Sequence, residues 1–169
     1  MGSAMSSVIQ NVINHIKKTV GAMPTSILTA FPEMRSAGFV DVDKLGGARV
    51  ELEEMVGRSR VFEVSLDGVE ENPLQLGQAI PEAFNLVLTV RVRYDAQGLA
   101  VRGSAQSDAM KELAIISKAI QASDWPSITG LVTLSTGTGR ISTVTLADES
   151  GATYKTIISE IAVAVSIDM

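Results

Sequence analysis

Near the start of the chain, apolar residues recur at helical spacing. Val8, Ile9, Val12, Ile13, Ile16 and Val20 form one stripe, which predicts an amphipathic helix. Ser6 or Ser7 suits its cap, Lys17 and Lys18 its last turn, and Gly21 its end. Residues 1–5 are read as a flexible N-terminus or a cloning scar, and 6–169 as one domain. From Ala22 to Gly47 the pattern loosens. Pro24, Pro32 and Gly46-Gly47 punctuate it, and short helices or loops both fit.

Period-two alternation begins at Arg58 and predicts a strand to Leu66. Phe62, Val64 and Leu66 face one way, Glu63 and Ser65 the other. Asp67-Gly68 reads as the turn that ends it. Val69 to Glu82, with Asn72-Pro73, Gly77 and Pro81, reads as a long acidic connection. The strongest alternation runs from Phe84 to Tyr94, where Phe84, Leu86, Leu88, Val90, Val92 and Tyr94 take the core side. Arg91 and Arg93 fall on the polar side.

After a loop from Asp95 to Gly103, a second helix is predicted. Ser107 caps it, Asp108 suits its first turn, and Ala109, Leu113, Ile116 and Ile120 form its buried face. Trp125-Pro126 closes that region. Three strands follow, approximately Ser127 to Ser135, Arg140 to Ala147 and Thr153 to Ile167. Gly137-Thr138-Gly139 and Asp148 to Gly151 read as the hairpin turns between them. In the last strand Ile157, Ile161, Val163, Val165 and Ile167 share one phase, while Ala162 and Ala164 make the other apolar too. That suits a central strand or one meeting a neighbouring subunit. The predicted class is α+β: a mostly antiparallel sheet with two main helices packed on one face.

Composition narrows the chemistry. The 169 residues are 46% hydrophobic and 20% charged, which predicts a folded chain with a real core. Aromatics are only 4%, so few side chains could stack on bases or sugars. The net charge of −5 lacks the basic balance of a phosphate-tracking protein. There is no cysteine, so disulfide and thiolate chemistry are excluded. No apolar run has the length of a membrane span, and the N-terminus lacks the pattern of a secretion signal.

His15 is the one histidine, and an ordinary helix-surface role is expected for it. With one His and no Cys a zinc site is not expected, and no Ser/His/Asp set is expected because nothing marks a serine as the partner of His15. The glycines at 137 and 139 lack the Lys-Ser/Thr of a phosphate loop. Glu53-Glu54 and Glu70-Glu71 read as solvated acids rather than a catalytic pair. No catalytic, cofactor-binding or metal-binding residue is therefore predicted. For Arg91 and Arg93 two readings stand side by side: a solvated sheet face with acidic neighbours, or a contact between subunits. Arg suits the latter because its fork grips carboxylates at two points. On the second reading the candidate interface comprises Asp67, Glu70, Glu71, Glu82, Arg91, Arg93 and Arg102.

The layout carries a resemblance. An amphipathic N-terminal helix precedes the strand Arg60-Val61-Phe62-Glu63-Val64. An insertion then leads to the strand Asn85 to Tyr94, a helix opening near Ser107-Asp108, a Trp-containing connection and a β-run ending in Ala162 to Ile167. From Ser6 onward this resembles the tail terminator and tail-completion (neck) proteins of long-tailed bacteriophages, from whose shorter members it departs at Ala22 to Gly57. The resemblance implies a structural virion protein without catalytic residues or cofactors. Its expected form is a homo-oligomeric ring, typically a hexamer, made in the host bacterial cytoplasm and resident in the virion tail or neck. Its implied partners are copies of itself, the tail-tube protein, and the head–tail connector or a head-completion protein. DNA would only pass through the lumen, and no membrane is involved. Two rival readings are a tail-tube or head-completion subunit, and an enzyme or small-ligand domain of similar topology.

Overall fold

In a computed structural model, residues 2–25, 37–45, 52, 59–71, 83–95, 102–147, 150–151 and 153–168 are described. The elements are α1 (Gly2–Gly21), β1 (Val40–Asp41), β2 (Val61–Glu71), β3 (Ala83–Asp95), α2 (Arg102–Ala122), β4 (Leu131–Ala147) and β5 (Thr153–Asp168). Short 3-10 turns follow β1 at Val42–Lys44 and α2 at Trp125–Ser127. The sheet runs in the order β1-β2-β3-β5-β4. Every pairing is antiparallel except that of β1 with β2, so the fold is the predicted α+β class.

Both helices lie on one face of that sheet. Val12, Ile16 and Val20 of α1 are buried with Ala105, Ala109, Leu113, Ile116 and Ile120 of α2. Against them pack Phe62 and Val64 of β2, Leu86 to Tyr94 in one phase of β3, and Ile157, Ile161, Val163, Val165 and Ile167 of β5. Each large aliphatic side chain removed from water in this way contributes about 1.5–3 kcal/mol. The alternation read for β3 and β5 holds at each of these positions, and β5 is central, between β3 and β4.

Several boundaries differ from the sequence reading. Helix α1 begins at Gly2, so Ser6 and Ser7 lie inside it rather than at its cap. Helix α2 begins at Arg102, which likewise places Ser107 and Asp108 inside. Asp67-Gly68 is not a turn. Leu66 pairs with Leu88 and Gly68 with Val87, so Asp67 is the extra residue of a bulge, and β2 continues to Glu71.

The two strands expected before and after Gly137-Thr138-Gly139 are one strand of 17 residues. Thr136 pairs with Val163 and Gly139 with Ile161, so Gly137 and Thr138 together oppose the single residue Ala162. This bulge flips the inward phase of β4 from even positions (Leu134) to odd ones (Ile141), which imitates a break in the chain. Gly139 has a packing reason as well. A Cβ there would lie 2.3 Å from Leu113 Cδ2, so the missing side chain lets α2 close down on the sheet. At Gly130 the backbone is left-handed (φ 88°) and a Cβ would lie 2.9 Å from Val8; its carbonyl accepts from the Asp168 amide at 2.7 Å.

The opposite face is not uniformly solvated, as the sequence pattern suggested. At one end Leu52, Val61 and Ile158 form a second small cluster with Val42, Leu45 and Val144 around them. Toward the other end, Ser65, Ser135, Ala162 and Ala164 are exposed.

Candidate functional site

Between the covered and the exposed ends of that second face runs a row of charges. Sheet register sets Glu63 opposite Arg91, Arg91 opposite Glu160, and Glu160 opposite Arg140. Four neighbouring strands therefore carry charges of alternating sign. Arg91 Nη1 donates to Glu63 Oε1 at 2.8 Å, and Arg91 Nε lies 3.3 Å from Glu160 Oε2. Arg140 Nη2 donates to Glu160 Oε1. Directly opposed charges of this kind contribute roughly 0.2–1 kcal/mol per pair. Glu63, Arg91 and Glu160 are about a quarter exposed, whereas Arg140 at the sheet's edge is 75% exposed.

The expected interface residues disperse. Arg91 belongs to this row, with Glu63 and Glu160 as its acidic neighbours. Arg93, expected on a solvated face, is fully buried, and its Nη2 donates to Thr156 Oγ1 at 3.0 Å. It is covered because the second cluster closes that end of the sheet. Asp67 is exposed at the β2 bulge, Glu70 and Glu71 lie on the last residues of β2, and Arg102 opens α2. Glu82 lies outside the described residues, as do Glu53-Glu54 and most of the two connections 69–82 and 95–103.

Sequence reasoning missed the most buried polar group. Arg60, Glu112 and Tyr94 are each 0% exposed. Arg60 grips Glu112 at two points, Nε to Oε1 at 3.2 Å and Nη2 to Oε2 at 2.6 Å. Tyr94 donates to Glu112 Oε1 at 2.9 Å, Arg60 Nη1 donates to the Ala37 carbonyl at 2.8 Å, and the guanidinium lies over the Phe39 ring. Arg60 adopts a left-handed φ of 55°, uncommon for a residue with a side chain, while its carbonyl accepts from the Val40 amide at 2.9 Å. One residue thus ties β1, the 37–39 segment, β2 and α2 together. A signal existed: Glu112 stands seven after Ala105 and four before Ile116, inside the apolar stripe of α2.

Burial raises the Tyr94 pKa well above its usual 10, and the Glu112 charge and hydrogen bond add to the rise. The folded chain therefore holds this proton more tightly than the unfolded one. That stabilising contribution is complete below about pH 10, the unfolded value, and is lost as pH climbs through the raised folded value. Replacing Tyr94 by Phe is expected to cost about 1.5–3 kcal/mol at neutral pH, because a hydrogen bond to a charged group is lost. The gap to the parent should narrow above pH 10. Urea unfolding across that range checks this; a gap independent of pH would contradict it.

His15 is half-buried, with Nε2 2.9 Å from Ser123 Oγ. Ser123 Oγ in turn donates to the Ile120 carbonyl at 2.6 Å, so the serine proton is committed there and the imidazole N–H donates to the serine oxygen. A base–nucleophile pair needs the reverse direction. The contact ties α1 to the end of α2. Near the C-terminal end of α1, a cleft of about 590 Å³ is lined by Lys17, Lys18, Phe39, Asp41, Lys44 and Phe62 among others. Lys17 bridges Asp41 (3.3 Å) and Asp43 (2.6 Å); burial opposes its charge, but these acids outweigh it and raise its pKa. Among the described residues no cluster of three or more acids or histidines could hold a metal ion, and no helix is long and apolar enough to cross a membrane.

The two edges of the sheet complete the geometry. On one side, among the described residues, β1 pairs with β2 at Val61 and Phe62 alone. On the other, β4 is the outermost strand among the described residues, with 17 residues, no proline, no lysine and Arg140 as its single charge. No protein-family model matches this chain, and no curated protein matches it either.

Proposed function

We propose that this chain is a structural virion protein of a long-tailed bacteriophage: a ring that terminates the tail tube and joins it to the head–neck connector. Its partners on this reading are copies of itself, the tube protein and the connector or head-completion protein. Its task is docking, with no reacting group. The element order and strand texture from Ser6 onward support the family.

The observation that carries self-assembly is the β4 edge. β4 is a long edge strand with one charge and no proline, and although bulges at Leu131–Thr133 and Thr136–Gly139 interrupt it, Arg140 to Ala147 run without a further one and could take another strand beside them. The small exposed side chains of Ser65, Ser135, Ala162 and Ala164 leave a low surface on which a neighbour could rest. An acidic chain of net charge −5 also repels DNA passing a lumen.

The same edge strand favours one second reading, a tube or head-completion subunit, since tube proteins also join copies side by side. Mixing the purified chain with growing tail tubes separates the two. A terminator halts growth and sits as a ring at the tube's end in electron micrographs. Incorporation along the tube would move the assignment to a tube subunit, and indifference to tubes would oppose both.

A further inference from the structure

The buried side of α2 is aliphatic and repetitive. Ala105, Ala109 and Leu113 make one row with a step of four residues, and Glu112, Ile116 and Ile120 make a second. Consider a slip of one helical turn along the sheet, about 5–6 Å. It lays Ile116 where Glu112 sits, Ile120 where Ile116 sits and Leu113 where Ala109 sits. Apolar burial is non-directional and distinguishes such seatings poorly. Chains held by hydrophobic patterning alone lose uniqueness before they lose stability.

Other contacts of α2 grade the seatings only weakly. Leu113 lies in the notch left by Gly139, but the small Ser117 would enter that notch after the same slip. The bonds from Ser117 to Thr136 and from Gln106 to Thr143 lie at half-buried or exposed positions, where water can replace a lost partner. Glu112 differs. Among the described residues it is the one polar side chain of α2 that is buried. Its Oε1 accepts from Arg60 Nε and from the Tyr94 hydroxyl, and its Oε2 accepts from Arg60 Nη2. The slip would draw the carboxylate out of reach of both and strand opposite charges in the interior.

The guanidinium also holds the 37–45 segment. Arg60 Nη1 donates to the Ala37 carbonyl, and the Phe39 ring lies against it. Phe39 belongs to the main core on the helix face, whereas Val42 and Leu45 pack in the second cluster on the opposite face. Arg60 therefore anchors the segment where it crosses from one face to the other. Its left-handed φ of 55° is a conformation that persists where the surroundings impose it.

We propose that the Arg60–Glu112–Tyr94 cluster is a register lock. It selects one seating of α2 on the sheet, and one path of the 37–45 segment between the faces, from arrangements that apolar burial leaves close in energy. Its contribution is uniqueness rather than net stability, and it does not depend on the assembly reading.

The full-length chain carrying Arg60→Met and Glu112→Leu together tests it. This double variant is expected to stay folded by circular dichroism and to unfold cooperatively. In its amide NMR spectrum, α2 and the 37–45 segment should broaden or split into more than one set of peaks, while β3 and β5 keep single sharp ones. The Val40 amide, which donates to the Arg60 carbonyl in the parent, should exchange with solvent at least about tenfold faster relative to amides in the middle of β3. The proximity signal between Leu113 and Gly139 should weaken, and one between Ser117 and Gly139 should appear. Ile161→Val, a core change that keeps the cluster, should lower stability yet leave a single set of peaks.

A double variant with one sharp set across α2 and 37–45, and the Leu113–Gly139 signal intact, would overturn the inference. So would equal splitting in Ile161→Val, since lost stability alone would then explain it. If the double variant does not fold, the triple variant that adds Tyr94→Phe removes the last polar group of the cluster and is measured in the same way. A triple variant that also fails to fold would overturn the inference, because the apolar surfaces would then not hold the fold without the cluster.

Discussion

Replacing Glu112 by Ala is expected to destabilise the fold by about 3–5 kcal/mol, the usual cost of removing one partner from a buried ion pair. A typical domain has only about 5–15 kcal/mol in total. The substitution leaves the Arg60 guanidinium fully buried with its charge poorly offset, although the Ala37 carbonyl and the Phe39 ring remain beside it. It also removes the acceptor of the Tyr94 hydroxyl. The loss belongs to the stranded charge rather than to the pair, so removing both charges should cost far less. Arg60→Met with Glu112→Leu is expected to recover most of the stability, because hydrophobic side chains of similar volume need no partner. Urea unfolding of the parent, the single variant and the double variant measures this. A single variant within about 1 kcal/mol of the parent, or a double variant worse than the single, would contradict the bracing role of this cluster.

The second large effect separates the two faces of β5. Val163 is 0% exposed against the helices, while Ala162, one residue away, is exposed on the other face. Val163→Asp forces a carboxyl group into a hydrocarbon layer between Leu88 on β3 and Thr136 on β4, its register neighbours. A cost above about 4 kcal/mol is expected, enough to unfold many domains. Ala162→Asp meets water and should stay within about 1 kcal/mol of the parent, the range of surface changes and strand propensity. Circular dichroism and thermal melting of the two variants suffice. Equal effects, or the reverse order, would mean that the strand's faces are assigned the wrong way round.

Much of this fold was readable from periodicity because most buried surfaces are regular. Val12, Ile16 and Val20, the even positions of β3 and the odd ones from Ile157 to Ile167 follow the periods of 3.6 and 2 that helices and strands impose. What misled were local breaks in those periods. The bulge at Gly137-Thr138 flips the inward phase of β4, and the extra Asp67 does the same in β2, so each looks like a turn. Telling a bulge from a turn requires knowing that β5 is long enough to pair along both halves, a non-local fact. The helix starts were misplaced for a different reason: Ser6, Ser7 and Ser107 are good caps, yet the helices extend several residues before them.

The candidate surface was legible only in part. Arg91 has acidic neighbours within its own sheet, Glu63 and Glu160. Cross-strand partners depend on register, which local alternation does not supply. Arg93 has the same phase and texture as Arg91, and it is buried only because residues from another part of the chain fold over that end of the sheet. Glu112 was detectable as a lone charge within an apolar stripe, and Arg60 as a charge in phase with Phe62 and Val64, but their pairing depends on where α2 packs against the sheet, which is non-local.

One measurement bears on the whole interpretation most directly: the mass of the unmodified chain in solution across a wide concentration range, by native mass spectrometry or sedimentation. Discrete closed assemblies of the 17.9 kDa subunit, in the size class of a six-membered ring and growing in proportion with concentration, are expected. A single 17.9 kDa species throughout, unchanged when tail tubes are added, would contradict it.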